Sequence, residues 1–180
     1  ILAWQPTEKA EFLFNYTYRD QDNQDDGNGD EIGNSAFELP SFLVNGRYAF
    51  DDTHSVMASY TQPETADRDV PYDTFVTGTD FFGNVDRDVK TQTASLFYYF
   101  QPAGNDLIDV EAALTYSNQE IDQTYIPFTN GFGSPVGFGV VDADLQYERT
   151  KLTVKNTSFI QTGPVEHEIR SGVEFIKNDR

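Results

Sequence analysis

Three groups of side chains in this 180-residue chain are of types that do chemistry. The first is the loop Asp20-Gln-Asp-Asn-Gln-Asp-Asp-Gly-Asn-Gly-Asp-Glu31. Its Asp20, Asp22, Asp25, Asp26 and Asp30 offer oxygen ligands on a glycine-flexed segment, the donor set calcium takes. The EF-hand spacing does not fit: counting from Asp22, the place of the bidentate Glu falls on Gly33. A solvated acidic surface loop is the alternative reading. The second group is aromatic. Phe75, Phe81 and Phe82 stand among Asp67, Asp69, Asp73, Asp80, Asp86 and Asp88; Tyr125, Phe128, Phe132 and Phe138 stand among glycines. Rings exposed on loops grip an apolar ligand or a protein partner, or pack on one another as a lid. The third group is His54, His167 and the pair Asp109/Glu111. Both histidines fall in or beside short turns and read as ordinary turn residues. Asp109 and Glu111 can act as acid and base in principle, but read more simply as same-face partners for Lys or Arg on adjacent strands. No nucleophile elbow and no Ser/His/Asp spacing occurs, so the chain does not read as an enzyme.

Composition narrows the classes. There are 30 Asp+Glu against 12 Lys+Arg, a formal net charge of −18. Nucleic-acid binding needs clustered Lys and Arg, so that partner is excluded. The absence of cysteine removes disulfides, thiolate metal sites and cysteine nucleophiles. No apolar run approaches the ~20 residues of a membrane-spanning helix. Acidic chains are often disordered, yet disordered chains are poor in rings. This one has 15 Phe and 10 Tyr.

The elements that must position these groups are strands. Apolar residues alternate with polar ones, the period-2 mark of a β-strand, over roughly 1–5, 10–19, 41–50, 55–62, 90–100, 107–117, 145–161 and 166–177. Phe12, Phe14, Tyr16 and Tyr18 make the first clear series; Ala94, Leu96, Tyr98 and Phe100 make another. Four connections are tight and rich in Pro, Gly, Asn or Asp: 6–9, 51–54, 101–106 and 162–165. Three are long: 20–40, 63–89 and 118–144. Long structureless loops are uncommon in compact soluble domains. Short turns on one rim with long loops on the other match an outer-membrane β-barrel.

Parity agrees. The apolar phase carries no ionisable group at mid-strand, whereas Glu11, Arg47, Asp109, Glu111, Lys151, Lys155, Glu168, Arg170 and Glu174 share the opposite phase. A Lys or Arg facing the bilayer centre costs about 2–4 kcal/mol, and one facing a wet lumen costs little. Tyr48, Phe50, Tyr98 and Phe100 mark one end of the apolar phase, and Tyr16, Tyr18, Tyr60 and Tyr116 the other, as two interfacial girdles would. A soluble antiparallel sheet with one buried face gives the same alternation. A soluble β-rich binding module therefore stands as one alternative, and a passive porin as another. The expectation is an all-β, antiparallel transmembrane barrel segment of about eight strands. The half-length first strand and the direction of the last place both ends away from the short-turn rim. Residues 1–180 thus read as part of one larger barrel domain.

Trp4-Gln-Pro-Thr-Glu8 followed by a strand resembles the WxPT(D/E) element of TonB-dependent outer-membrane receptors. Lys155-Asn-Thr-Ser-Phe159, with His167-Glu-Ile-Arg-Ser-Gly-Val-Glu-Phe175 and Asn178-Asp179 after a tight turn, is similar to a hairpin common in that family. The haem and haemoglobin branch looks nearest, with siderophore receptors beside it. The resemblance implies a 22-stranded barrel in the outer membrane of a Gram-negative bacterium, plugged by an N-terminal domain that has no counterpart in these residues. It implies uptake of a scarce nutrient, an iron complex such as haem or a siderophore. The implied partners are the lipid bilayer, a TonB-type energising complex acting through the plug, and a small iron complex or haem-carrying protein. No residue here matches a haem-ligand or plug-contact motif of the family.

Overall fold

A computed structural model describes residues 1–32, 35–71, 84–126, 128–129, 135–136 and 142–180. Eight long strands follow one another: β1 (Leu2–Thr7), β2 (Ala10–Thr17), β3 (Ser41–Ala49), β4 (His54–Pro71), β5 (Asn84–Phe100), β6 (Val110–Ile126), β7 (Ala143–Thr162) and β8 (Val165–Asp179). Each pairs antiparallel with the next in a single meander. The sheet stays open, with β1 and β8 as its edges. No described residue is helical. All eight expected strands are present, and so are the four tight turns.

Register decides which side chains share a face. One mid-sheet row runs Phe12, Gly46, Ala58, Leu96, Leu114, Leu152, Phe175 across β2 to β8. The next row toward the short turns runs Ala10, Tyr48, Val56, Tyr98, Ala112, Val154, Val173. These rows form the apolar face. They are not covered: Leu96 is 50% exposed, Leu114 47% and Phe175 65%. Among the described residues only Ala10 and Val85 are buried apolar side chains. A soluble sheet must bury its apolar face under a second layer, and no described element lies over this one.

The polar face carries the nine charges expected there. Lys151 Nζ meets Glu174 Oε2 at 2.7 Å, Lys155 Nζ meets Glu111 Oε1 at 3.4 Å, and Arg170 pairs with Glu168. Glu11 lies directly across from Arg47. Between these clusters is an uncharged stretch, where Ser95 donates to Thr115 and Thr93 bonds Ser117, both at 3.2 Å.

The turns are built as their residues dictate. Gly163, at φ 62°, opens the two-residue hairpin between β7 and β8, supplying the positive φ such hairpins require. Between β3 and β4, Asp51 Oδ1 accepts bonds from Thr53 N, Thr53 Oγ1 and His54 N, each 2.8 Å. The Thr53 hydroxyl and these amides hold the Asp51 carboxyl below the usual Asp range. A lowered folded-state pKa gives stability that is present above the unfolded value, about 3.9, and is lost as pH falls through the folded one. Hydrogen exchange at Thr53 and His54 should therefore lose protection on acidification below about pH 4. Asp51→Asn should expose the same amides at neutral pH.

The long connections differ from expectation. β4 and β5 continue their pairing up to Pro71 and Asn84, and β6 and β7 up to Gln123 and Ala143. Much of 63–89 and 118–144 is therefore strand rather than loop. Period-2 reading stops at 62, 90 and 117 because the apolar phase changes sides there.

Candidate functional site

The apolar face ends in tyrosines whose hydroxyls point away from it. Phe14, Phe42 and Tyr60 form a chain of edge contacts, with centroids 5.5 and 5.8 Å apart. Tyr60 OH donates to Gln62 Oε1 at 2.6 Å and accepts from Gln92 Nε2 at 2.9 Å. Tyr116 OH donates to Glu148 Oε1 at 2.9 Å. At the short-turn end, His54 stacks on Phe100 at 4.6 Å, and its Nδ1 lies 2.6 Å from Tyr98 OH. His54 is thus a member of the aromatic belt rather than a bare turn residue. His167 lies on edge strand β8, opposite Ile160. Ring bodies against the apolar rows, with hydroxyls bonded beyond them, give the geometry of an interfacial girdle.

Past the Tyr16, Tyr60 and Tyr116 belt the sheet inverts. On the side continuous with the apolar face, the rows become Glu64, Lys90, Glu120 and then Ala66, Asp88, Asp122, Asp144. Arg68 Nη2 pairs with Asp88 there at 2.7 Å. On the side continuous with the polar face, the row becomes Thr65, Val89, Ile121, Leu145. Above it Val85 lies opposite both Val70 and Tyr125; below it Thr91, Gln119 and Tyr147 form the next row. Leu145 is 45% and Tyr147 40% exposed. The extension thus has an acidic outer wall and an inner wall that is apolar except for one row between these, Asp67, Arg87, Gln123 and Ala143, where Arg87 Nε donates to Gln123 Oε1 at 3.1 Å. Sequence reading misses this inner wall because it seeks one continuous phase. The signal is present all the same, in Val89, Ile121 and Leu145 standing on the odd positions that carry polar groups nearer the turns.

Of the aromatic residues proposed for ligand contact, Tyr125 is placed on this inner wall, and its backbone N donates to Asp142 Oδ1 at 2.9 Å. Phe128 belongs to a short strand, Phe128–Thr129, paired with Pro135–Val136. Phe75, Phe81, Phe82, Phe132 and Phe138 lie outside the described residues.

The acidic loop is organised by its own hydrogen bonds. Gln24–Asp25 pairs with Glu31–Ile32 as a miniature hairpin, with Gly29 at φ 89°. Asp26 Oδ1 accepts from Asn28 N at 2.8 Å and Asp30 N at 3.0 Å. Asn23 Oδ1 accepts from Ser35 N and Ala36 N. The amides of Asp30 and Asn28 hold the Asp26 carboxyl below the usual range. Asp20 pairs across to Glu38, away from this hairpin. Asp20, Asp22, Asp25, Asp26 and Asp30 are thus not gathered. Among the described residues no group of three His, Cys, Asp or Glu is placed to hold a metal ion.

The fold has a solved counterpart. It is similar to the hemophore receptor HasR of Serratia marcescens, in a structure of a double mutant in complex with its hemophore HasA and heme. The TM-score is 0.73 at 18% identity, over 96% of this chain and 24% of the other. The chain therefore spans about a quarter of the length of the receptor it matches, and the likeness is one of fold. No protein-family model and no curated protein matches the chain.

Proposed function

We propose that this chain is part of the wall of a TonB-dependent outer-membrane receptor that takes up a scarce iron complex, haem or a siderophore. The observation that carries the reading is the uncovered apolar face bounded by two aromatic belts, on a sheet superposable on the hemophore receptor. A lipid bilayer is the layer that covers such a face without a second sheet. The polar face then lines the lumen, the short turns face the periplasm and the long connections face the medium. The wall itself catalyses nothing. It holds a passage open, presents a ligand-catching vestibule and surrounds the plug through which a TonB-type complex delivers energy. A haem-carrying protein or a free iron complex is the cargo's source, and calcium bound by the acidic loop is an auxiliary proposal that chelation tests.

The receptor of which this chain is proposed to be a part, expressed in an iron-starved Gram-negative host lacking its own receptors, should restore growth on haem or an iron–siderophore complex. Restoration should vanish when the host's TonB-type complex is deleted. Entry of small solutes that persists after that deletion would replace this reading with a passive channel.

A further inference from the structure

We propose that the turn Asp26-Gly-Asn-Gly29 is a self-modifying site, at which Asn28 loses its side-chain amide to attack by the Gly29 backbone nitrogen, with the Asp26 carboxylate as proton carrier. This chemistry lies beyond the transport reading and does not depend on it. Asn28 and Gly29 stand exposed at the tip of the miniature hairpin of Gln24–Asp25 and Glu31–Ile32. A Cβ added at Gly29 would meet nothing within 4 Å, so the space about the attacking residue is open. Asp26 wraps the reacting atoms. Its Oδ1 accepts from Asn28 N at 2.8 Å and from Asp30 N at 3.0 Å, and so spans Gly29. Its Oδ2 accepts from Asn28 Nδ2, the nitrogen that would leave, at 3.4 Å. The Gly29 amide is among the groups that hold the Asp26 carboxyl below the usual range. One ionised carboxylate therefore serves both the nucleophile and the leaving group.

In the first step Gly29 N bonds to Asn28 Cγ as its proton passes to Asp26. The Cγ–Nδ2 bond breaks, and that proton departs with Nδ2 as ammonia. The cyclic imide left behind takes up water. Opening at Cγ gives aspartate; opening at the Asn28 carbonyl carbon gives isoaspartate, in which the main chain runs through the side chain. One water enters and one ammonia leaves. Gly29 N must first release its bond to the Asp26 main-chain oxygen at 3.0 Å, an exposed bond in a hairpin of only two residue pairs. The same dipeptide at Asn45–Gly46 is held in place. Asn45 pairs with Leu13 and Ser59, and Gly46 with Phe12 and Ala58, so the extended backbone cannot fold Gly46 N onto the preceding side chain. The neighbouring Asp26–Gly27 step does not compete, because an ionised carboxylate resists nucleophilic attack. The product places a new carboxylate beside Asp26 and Asp30. Isoaspartate also lengthens the main chain of the turn, which loosens the pairing of Gln24–Asp25 with Glu31–Ile32.

Mass spectrometry of proteolytic peptides tests this by following amide loss at Asn28 and Asn45 in the purified protein, folded at neutral pH and unfolded in urea. The peptide holding Asn130–Gly131 is read apart. Asn28 should convert faster in the folded protein than in urea, and Asn45 in urea alone. Asp26→Ser keeps a side-chain oxygen that can cap the turn and removes the proton carrier. It should slow folded conversion of Asn28 about a hundredfold, the low end of what a positioned acid–base group supplies. A turn that had merely loosened would instead convert no slower than the unfolded chain. Asn28→Gln should abolish conversion at this turn, because the longer side chain must close a larger ring. Conversion of Asn28 that is slower folded than in urea would overturn the site, as would an unchanged rate in Asp26→Ser, or a folded Asn45 that keeps pace with Asn28.

Discussion

Leu114→Lys should cost the folded, membrane-inserted chain about 2–4 kcal/mol, whereas Ser95→Lys, one position off the same row on the adjacent strand, should cost within about 0.5 kcal/mol. Leu114 sits at mid-sheet between Leu96 and Leu152, 47% exposed on the apolar face. A lysine there has hydrocarbon on its outer side. Its ammonium finds no polar partner in its own row and must bend along the sheet toward the Tyr116 and Thr150 hydroxyls to reach one. Ser95 lies on the polar face between Ser59 and Thr115. A lysine there loses one hydroxyl bond and keeps its water. Urea unfolding from liposomes measures both costs. Equal costs would mean that lipid does not cover the apolar face, and a large cost at Ser95 alone would place the packed side of the sheet on the other face.

The same contrast is legible in the amino-acid sequence. Between the belts each strand keeps one phase, so the run of Ala94, Leu96, Tyr98 and Phe100 reveals strand, face and boundary together. Physics allows little else there, because a one-residue slip would put Lys151 or Glu111 into hydrocarbon. Beyond the belts the constraint reverses. In a receptor wall as proposed, water surrounds the outside there and the inside is free to be apolar, which accounts for Val89 and Ile121 standing on the phase held by Ser95 and Thr115 below. A pattern search reads that reversal as an end to the strand. Chemistry in the acidic loop was less legible still. Five aspartates in twelve residues look like a ligand set, but a carboxylate that caps its own turn, as Asp26 does through Asn28 N and Asp30 N, has the same spacing as one that waits for a cation.

Gly172→Ala should destabilise the chain by about 1–3 kcal/mol, the range for forcing an extra methyl into a closed space, while Gly46→Ala should cost less than about 1 kcal/mol. A Cβ at Gly172 would lie 2.7 Å from the carbonyl oxygen of Val154 and 3.3 Å from both Cα and Cγ of Lys155. The carbonyl is backbone of β7, paired on one side with β6 and on the other with β8 itself, so it cannot yield without distorting two ladders. Lys155 would also be displaced, and with it the contact of Nζ to Glu111 at 3.4 Å. That pair is exposed and adds little of its own, so the cost is backbone strain. At Gly46 the obstacle is the Phe12 ring, 3.2 Å away at Cδ1, which covers the glycine on the apolar face and stacks on Trp4 at 5.6 Å. An exposed ring can swing aside at the price of part of that stacking. Urea unfolding of the two variants from liposomes ranks the effects. If Gly46→Ala proves the costlier, the Trp4–Phe12–Gly46 contact, not the β7–β8 backbone, is the less yielding part of this wall.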